Sequence, residues 1–186
     1  MMEKRNPHYF YAISIPRNIQ LIIKQKCLAV EADYPFKDWV HECDYHITLA
    51  FLGSASLEVL DEMNQLIVND LKNTSPFTLY LEGVQTFGLK ERPRILWCDI
   101  HKEKQLHEIQ SIVNQVCGKY GFSRDRRNFT PHITLAKKWQ GENQFTHFPP
   151  IMETPLSFEA TEVGLYEVNT ESKPKYKRIA TFSLKS

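Results

Sequence analysis

The chain has 186 residues, 42% of them apolar and 24% charged, with a formal net charge of +1. This is ordinary globular composition, long enough for one domain with a substantial core or for two small lobes packed together. It excludes a helical membrane span, because no apolar run approaches the roughly 20 residues that a bilayer requires.

The opening "MMEKRNPHYFYAISIPRN" turns from charged to apolar. Its apolar stretch, Tyr9–Ile15, is short, aromatic and β-branched, and Pro16 stops it with no small-residue cleavage site following. It therefore reads as a first strand and not as a signal peptide, and a cytoplasmic protein is expected. From Arg17 to about Ala32, Ile19, Ile22, Ile23, Cys27 and Val30 recur at helical spacing. After a loop containing Pro35 comes the strand "DYHITLAFL" (44–52). Leu57, Leu60, Met63, Ile67 and Leu71 then mark a second helix, stopped by "NTSP".

"FTLYLEGVQTF" (77–87) alternates as a strand does, and "RILWCDI" (94–100) is the apolar run expected of a strand covered on both faces. Leu106, Ile109, Val113, Val116 and Cys117 make a third helix, ended by Gly118 or Gly121. "FTPHITLAKK" (129–138) follows as a strand. "LSFEATEVGLYEV" (156–168) and "YKRIATFSL" (176–184) read as a hairpin-like pair around a basic loop.

Strand, helix and His-Ile-Thr-Leu-Ala strand thus occur twice, with His46 and His132 standing 86 residues apart. The interval from Ile15 to His46 is 31 residues, and from Ile100 to His132 it is 32. An internal duplication accounts for both matches. It implies a single domain over residues 1–186, built from two lobes about a pseudo-twofold axis, with the repeated strands facing each other across a cleft.

In a strand, residues i and i+2 share a face. His46 and Thr48 therefore point one way and Ile47 and Leu49 the other, as do His132 and Thr134 against Ile133 and Leu135. Core maintenance explains the Ile and Leu positions. It does not explain His and Thr kept on the opposite face of both copies. Two imidazoles with an ordinary pKa of about 6.5 can accept one proton and donate another near neutrality. That suits displacement at phosphorus, with Thr hydroxyls donating to the non-bridging oxygens. No metal or cofactor is required. Cys27, Cys43, Cys98 and Cys117 include no C-x-x-C pair and read as reduced, mostly buried thiols with no zinc site.

Charge adds a second hint. Residues 1–93 carry 9 Lys/Arg against 12 Asp/Glu, whereas residues 94–186 carry 14 against 10. The basic excess gathers in "RDRR" (124–127), "KK" (137–138) and "KPKYKR" (173–178), which suits an anionic ligand. His8, His41, His101, His107 and His147 lie outside the repeated motif and are not assigned to the site.

With these motifs the sequence resembles the 2H phosphoesterase superfamily, defined by two H-x-[ST]-x-apolar motifs. Within that superfamily it is similar to the LigT-like RNA 2′,3′-cyclic phosphodiesterases, once described as 2′-5′ RNA ligases. The likeness rests on "FYAISIP" (10–16), "HITLAFLG" (46–53), "RPRILW" (92–97), "FTPHITLAK" (129–137) and "LYEVNTESKPKYKRI" (165–179), in family order along nearly the whole chain. The resemblance implies a two-lobed α+β fold, each lobe a small, mostly antiparallel sheet with helices on its outer face, around a central cleft. It implies metal-independent hydrolysis of a 2′,3′-cyclic phosphate to a 2′-phosphomonoester. His132 would be the general base and His46 the general acid, although pseudo-symmetry makes the two roles nearly exchangeable.

Thr48 and Thr134 would hold the phosphate. Where the family usually has Arg five residues after the second His, this chain has Lys137, which keeps the charge and loses the bidentate fork. Phe51 is either a ring that stacks on the terminal nucleobase or a core aromatic at the strand's end. The expected partners are RNA or oligonucleotide 2′,3′-cyclic phosphate ends, or small cyclic nucleotides, with no membrane and with a monomer sufficing. The competing expectation is a nucleotide- or RNA-end-binding module with little turnover.

Overall fold

The computed structural model describes residues 7–122, 128–149 and 156–185. The basic "RDRR" cluster lies outside the described residues. Strand β1 (His8–Ser14) leads through Pro16 into helix α1 (Arg17–Leu28), which buries Ile19, Ile23 and Cys27 as one stripe. The helix stops short of the expected Ala32, because the chain turns there to lay down a short strand, β2 (Phe36–Trp39), where a loop was expected. A 3₁₀ turn over Glu42–Asp44 then delivers the chain into β3 (His46–Ser54).

Helix α2 (Leu57–Leu71) is capped by Ser56, whose hydroxyl accepts from the Val59 N–H at 3.3 Å. The long strands β4 (Phe77–Leu89) and β5 (Arg92–Ile100) form a hairpin. Helix α3 (Lys104–Lys119) buries all five residues of its expected apolar stripe and ends before Gly121, which takes the left-handed turn at φ +80°. Strand β6 (His132–Trp139) carries the second motif.

The segment 156–168 is not one strand. It breaks at Thr161 into β7 (Leu156–Ala160) and β8 (Glu162–Val168), which belong to different sheets, and β8 pairs with β9 (Tyr176–Ser183). The alternation slips by one residue there, from Leu156, Phe158 and Ala160 to Val163 and Leu165, but a bulge within a single strand would give the same slip. One sheet has the order β3-β1-β8-β9 and the other β2-β6-β5-β4-β7. Every recorded strand pair is antiparallel. The two lobes share one contiguous apolar core, to which both sheets and all three helices contribute. A second, smaller cluster of Phe10, Ala12 and Tyr166 lies on β1 and β8, with Val168 and Tyr176 packed against it.

Each motif strand pairs with the strand that precedes its helix, β3 with β1 and β6 with β5, and each contains the same irregularity. Thr48 pairs with Ala12 but Ala50 with Tyr11; Thr134 pairs with Trp97 but Ala136 with Leu96. One extra residue, Leu49 in one copy and Leu135 in the other, is accommodated as a β-bulge. Consequently Leu and Ala are buried in succession in both copies. The face beyond the bulge is inverted, so Phe51 and Lys137, each five residues after a motif His, join the side that holds His and Thr.

Lys138, next along β6, has φ +63°. A side chain in that region costs roughly 1–2 kcal/mol. Lys138→Gly is therefore expected to equal or exceed wild-type stability in urea unfolding, and β-branched Lys138→Val to lose about 1–2 kcal/mol. Equal midpoints for the three proteins would show that the turn is unstrained.

Candidate active site

His46 and His132 open the two motif strands, and both remain partly exposed to solvent. They are held in the same way. His46 Nδ1 donates to the carbonyl oxygen of Asp44 at 2.7 Å, and His132 Nδ1 donates to that of Thr130 at 2.7 Å. With the proton of a neutral ring fixed at Nδ1, Nε2 carries the lone pair in each case. His46 Nε2 lies 3.0 Å from Thr48 Oγ1. Each copy thus presents an imidazole and a hydroxyl side by side, as the alternation of "HIT" requires.

The rings are braced by aromatics from strands remote in sequence. Around His46 stand Phe10 at 4.7 Å, Tyr176 edge-on at 5.2 Å and Tyr166 at 6.2 Å between ring centres. Tyr166 stacks on Phe10, lying so close over the sheet that a Cβ on Gly164 would stand 2.7 Å from its ring. Around His132, Phe87 and Trp97 stack on each other at 4.6 Å and both meet the imidazole edgewise, at 5.2 and 5.5 Å. The sequence points to none of these neighbours, since each comes from a distant strand. "RILW" was legible as a buried run, and Trp97 is indeed 6% exposed.

β3 and β6 are in contact, and the charges of β6 act on His46. Its pKa is pushed down to about 4, chiefly by burial, against the support of the Asp44 carbonyl and with Lys137 and His132 lowering it further. The Lys137 ammonium is itself lowered by burial and then by Lys175, while Asp38 and Asp44 draw it back up. The structure therefore brings His46, His132 and Lys137 into one electrostatic neighbourhood, with Thr48 and Thr134 beside their histidines. Phe51 is 58% exposed, which removes the core reading; the edge of its ring meets His8 at 6.0 Å.

Cys27, Cys98 and Cys117 are buried, Cys43 is exposed, and all four are free thiols. Among the described residues, only His41, Glu42 and Cys43 gather possible metal-ligand atoms within 4.8 Å. Those groups are already engaged: His41 Nδ1 accepts from the Cys43 N–H, and Glu42 pairs with Arg17 at 3.4 Å. Among the described residues no helix is long and apolar enough to cross a membrane.

The sequence profile of the 2′-5′ RNA ligase superfamily matches residues 29–171, which includes both motifs. The chain belongs to the 2′-5′ RNA ligase superfamily. The RNA 2′,3′-cyclic phosphodiesterase of Bacillus subtilis is 33% identical over 96% of this chain and 97% of its own length. The RNA 2′,3′-cyclic phosphodiesterase of Geobacillus stearothermophilus is 38% identical over 97% of this chain, which spans 58% of that relative's length. E. coli LigT, solved in complex with 3′-AMP, superposes with a TM-score of 0.80 at 24% identity, covering 97% of this chain and all of LigT. The LigT-like α+β fold expected from the motifs is therefore the fold observed.

Proposed function

We propose that this protein hydrolyses RNA or nucleotide 2′,3′-cyclic phosphates to 2′-phosphomonoesters, acting in the cytoplasm without a metal. The carrying observation is the identical mounting of the two histidines, each with Nδ1 tied to a backbone carbonyl and a Thr hydroxyl two residues on. The names of the Bacillus and Geobacillus relatives support the same reading.

In this reading the cyclic phosphate lies between the rings, with Thr48, Thr134 and Lys137 around its non-bridging oxygens. His132 Nε2 takes a proton from water as the water oxygen bonds to phosphorus. The bond from phosphorus to O3′ breaks, and His46 protonates the departing O3′. The phosphate stays on O2′.

A lowered pKa by itself suits a base better than an acid, and His46 is neutral at pH 7 before substrate arrives. A bound phosphate anion offsets the charges of Lys137 and His132 and favours protonation of His46. The acid is thereby charged when it is needed. In the same reading Phe51, exposed and on the side of β3 that holds His46 and Thr48, stacks on the terminal base.

The test is turnover of a 2′,3′-cyclic mononucleotide and of an oligonucleotide bearing the same end. Hydrolysis to the 2′-phosphate is expected for both, undiminished by chelator. Binding without turnover would favour the binding module, and turnover of the mononucleotide alone would favour a small cyclic nucleotide. Activity abolished by chelator and restored by a divalent cation would overturn the metal-independent scheme.

A further inference from the structure

Asp44 is 5% exposed, the only charged side chain so deeply buried among the described residues. An isolated carboxylate is costly to bury. Here two main-chain donors meet it: the Lys175 N–H reaches Oδ2 at 2.9 Å and the Tyr176 N–H reaches Oδ1 at 3.0 Å. Those donors lie 131 and 132 residues further along the chain. The same residue's backbone carbonyl accepts the His46 Nδ1 proton at 2.7 Å. Tyr176, held by the carboxylate, sets its ring edge-on against the His46 imidazole at 5.2 Å.

We propose that Asp44 is a positioning residue for His46: its carboxylate anchors the Lys175–Tyr176 segment so that its own carbonyl and the Tyr176 ring fix the imidazole's tautomer and orientation. The peptide that carries this carbonyl is held within its turn by one neutral bond, from the Tyr45 N–H to the Glu42 carbonyl at 3.2 Å. The two charge-assisted bonds to the Lys175–Tyr176 segment add to that hold, and each is about twice as strong as a neutral one. The carbonyl that holds His132 comes instead from Thr130, an exposed residue whose hydroxyl donates locally to the Asn128 carbonyl at 3.5 Å. The two halves of the site are thus held alike at Nδ1 and differently one bond further out. The groups facing His46 are Lys137 and His132 from β6, Phe10 from β1, Tyr166 from β8, Tyr176 from β9 and Thr48 from its own strand.

The catalytic side of this inference rests on the acid–base reading of His46, but its structural side is tested without substrate. Nitrogen NMR of the imidazoles above pH 7 reports which ring nitrogen carries the proton. Wild-type His46 is expected as a single Nδ1–H tautomer. Asp44→Asn keeps the shape but can offer only one acceptor oxygen to the two N–H donors. Its His46 is expected to show a mixture of tautomers while His132 keeps its own, with kcat falling about 10- to 100-fold and KM for a cyclic mononucleotide little changed.

The clamp can also be opened from its other side. Lys175→Pro deletes the N–H that reaches Oδ2 and should mix the His46 tautomers likewise, whereas Lys175→Gln keeps that N–H and the single tautomer. If Asp44→Asn does not fold, the two Lys175 variants decide. A folded Asp44→Asn protein with an unmixed His46 tautomer overturns the proposal, whatever its activity. Mixed tautomers in a protein that turns over no cyclic phosphate would leave the positioning role standing and refute the proposed reaction instead.

Discussion

Replacing either His46 or His132 with alanine is expected to lower kcat on a 2′,3′-cyclic mononucleotide by about 10² to 10⁴ while leaving the protein folded. That range corresponds to about 3–5 kcal/mol of transition-state stabilisation. Neither ring is part of the main apolar core, and both are partly open to solvent, so the loss should not be one of stability. The double variant should lose little more than the worse single variant, because a proton removed from water at one ring must be matched by one delivered at the other. Full activity in either single variant would remove that residue from the chemistry.

The largest stability effect is expected at the second bulge. Leu135 is fully buried on the core side of β6, and Leu135→Ala should cost about 2–5 kcal/mol. For a chain of this length each kcal/mol shifts Tm by roughly 2–4 °C, so calorimetry should show the midpoint falling by about 4–20 °C. Activity below the transition should persist, since the side chain points away from the Thr134 side. A loss under about 1 kcal/mol would mean that neighbours close over the space and that the bulge residue is not a fixed part of the core.

The candidate pair, His46 and His132, and most of the fold were legible in the sequence because they follow from simple periods. Residues two apart on a strand share a face, which placed His46 with Thr48 and His132 with Thr134. Helical spacing found α1, α2 and α3 through residues such as Ile23, Met63 and Val113. What escaped is what breaks a period. The bulges at Leu49 and Leu135 moved Phe51 and Lys137 to a face that strict alternation denies them; the family likeness had brought both forward, and the basic cluster at 137–138 had pointed to Lys137 as well. The break at Thr161 showed only as a one-residue slip of the alternation between Ala160 and Val163, which a bulge in one continuous strand would equally produce. Phe10, Phe87, Trp97, Tyr166 and Tyr176 read as strand residues, and nothing local says that they surround an imidazole. The matching bulges add to the repeated pentamer in support of an internal duplication, since a shared defect is harder to reach twice than a shared pattern.

The crossing at Thr161 bears on how the molecule can move. β2, from the first half of the chain, edges the sheet of the second motif, while β8 and β9, from its end, complete the sheet of the first. Each half is therefore stitched into the other, and cutting the chain between the motifs would leave both fragments with sheets missing strands. Enzymes with two lobes often close like a jaw about a hinge; here the interlaced strands and common core work against such a swing. A ligand seated between the two motif strands, as in the proposed reaction, would therefore meet a spacing set when the chain folds.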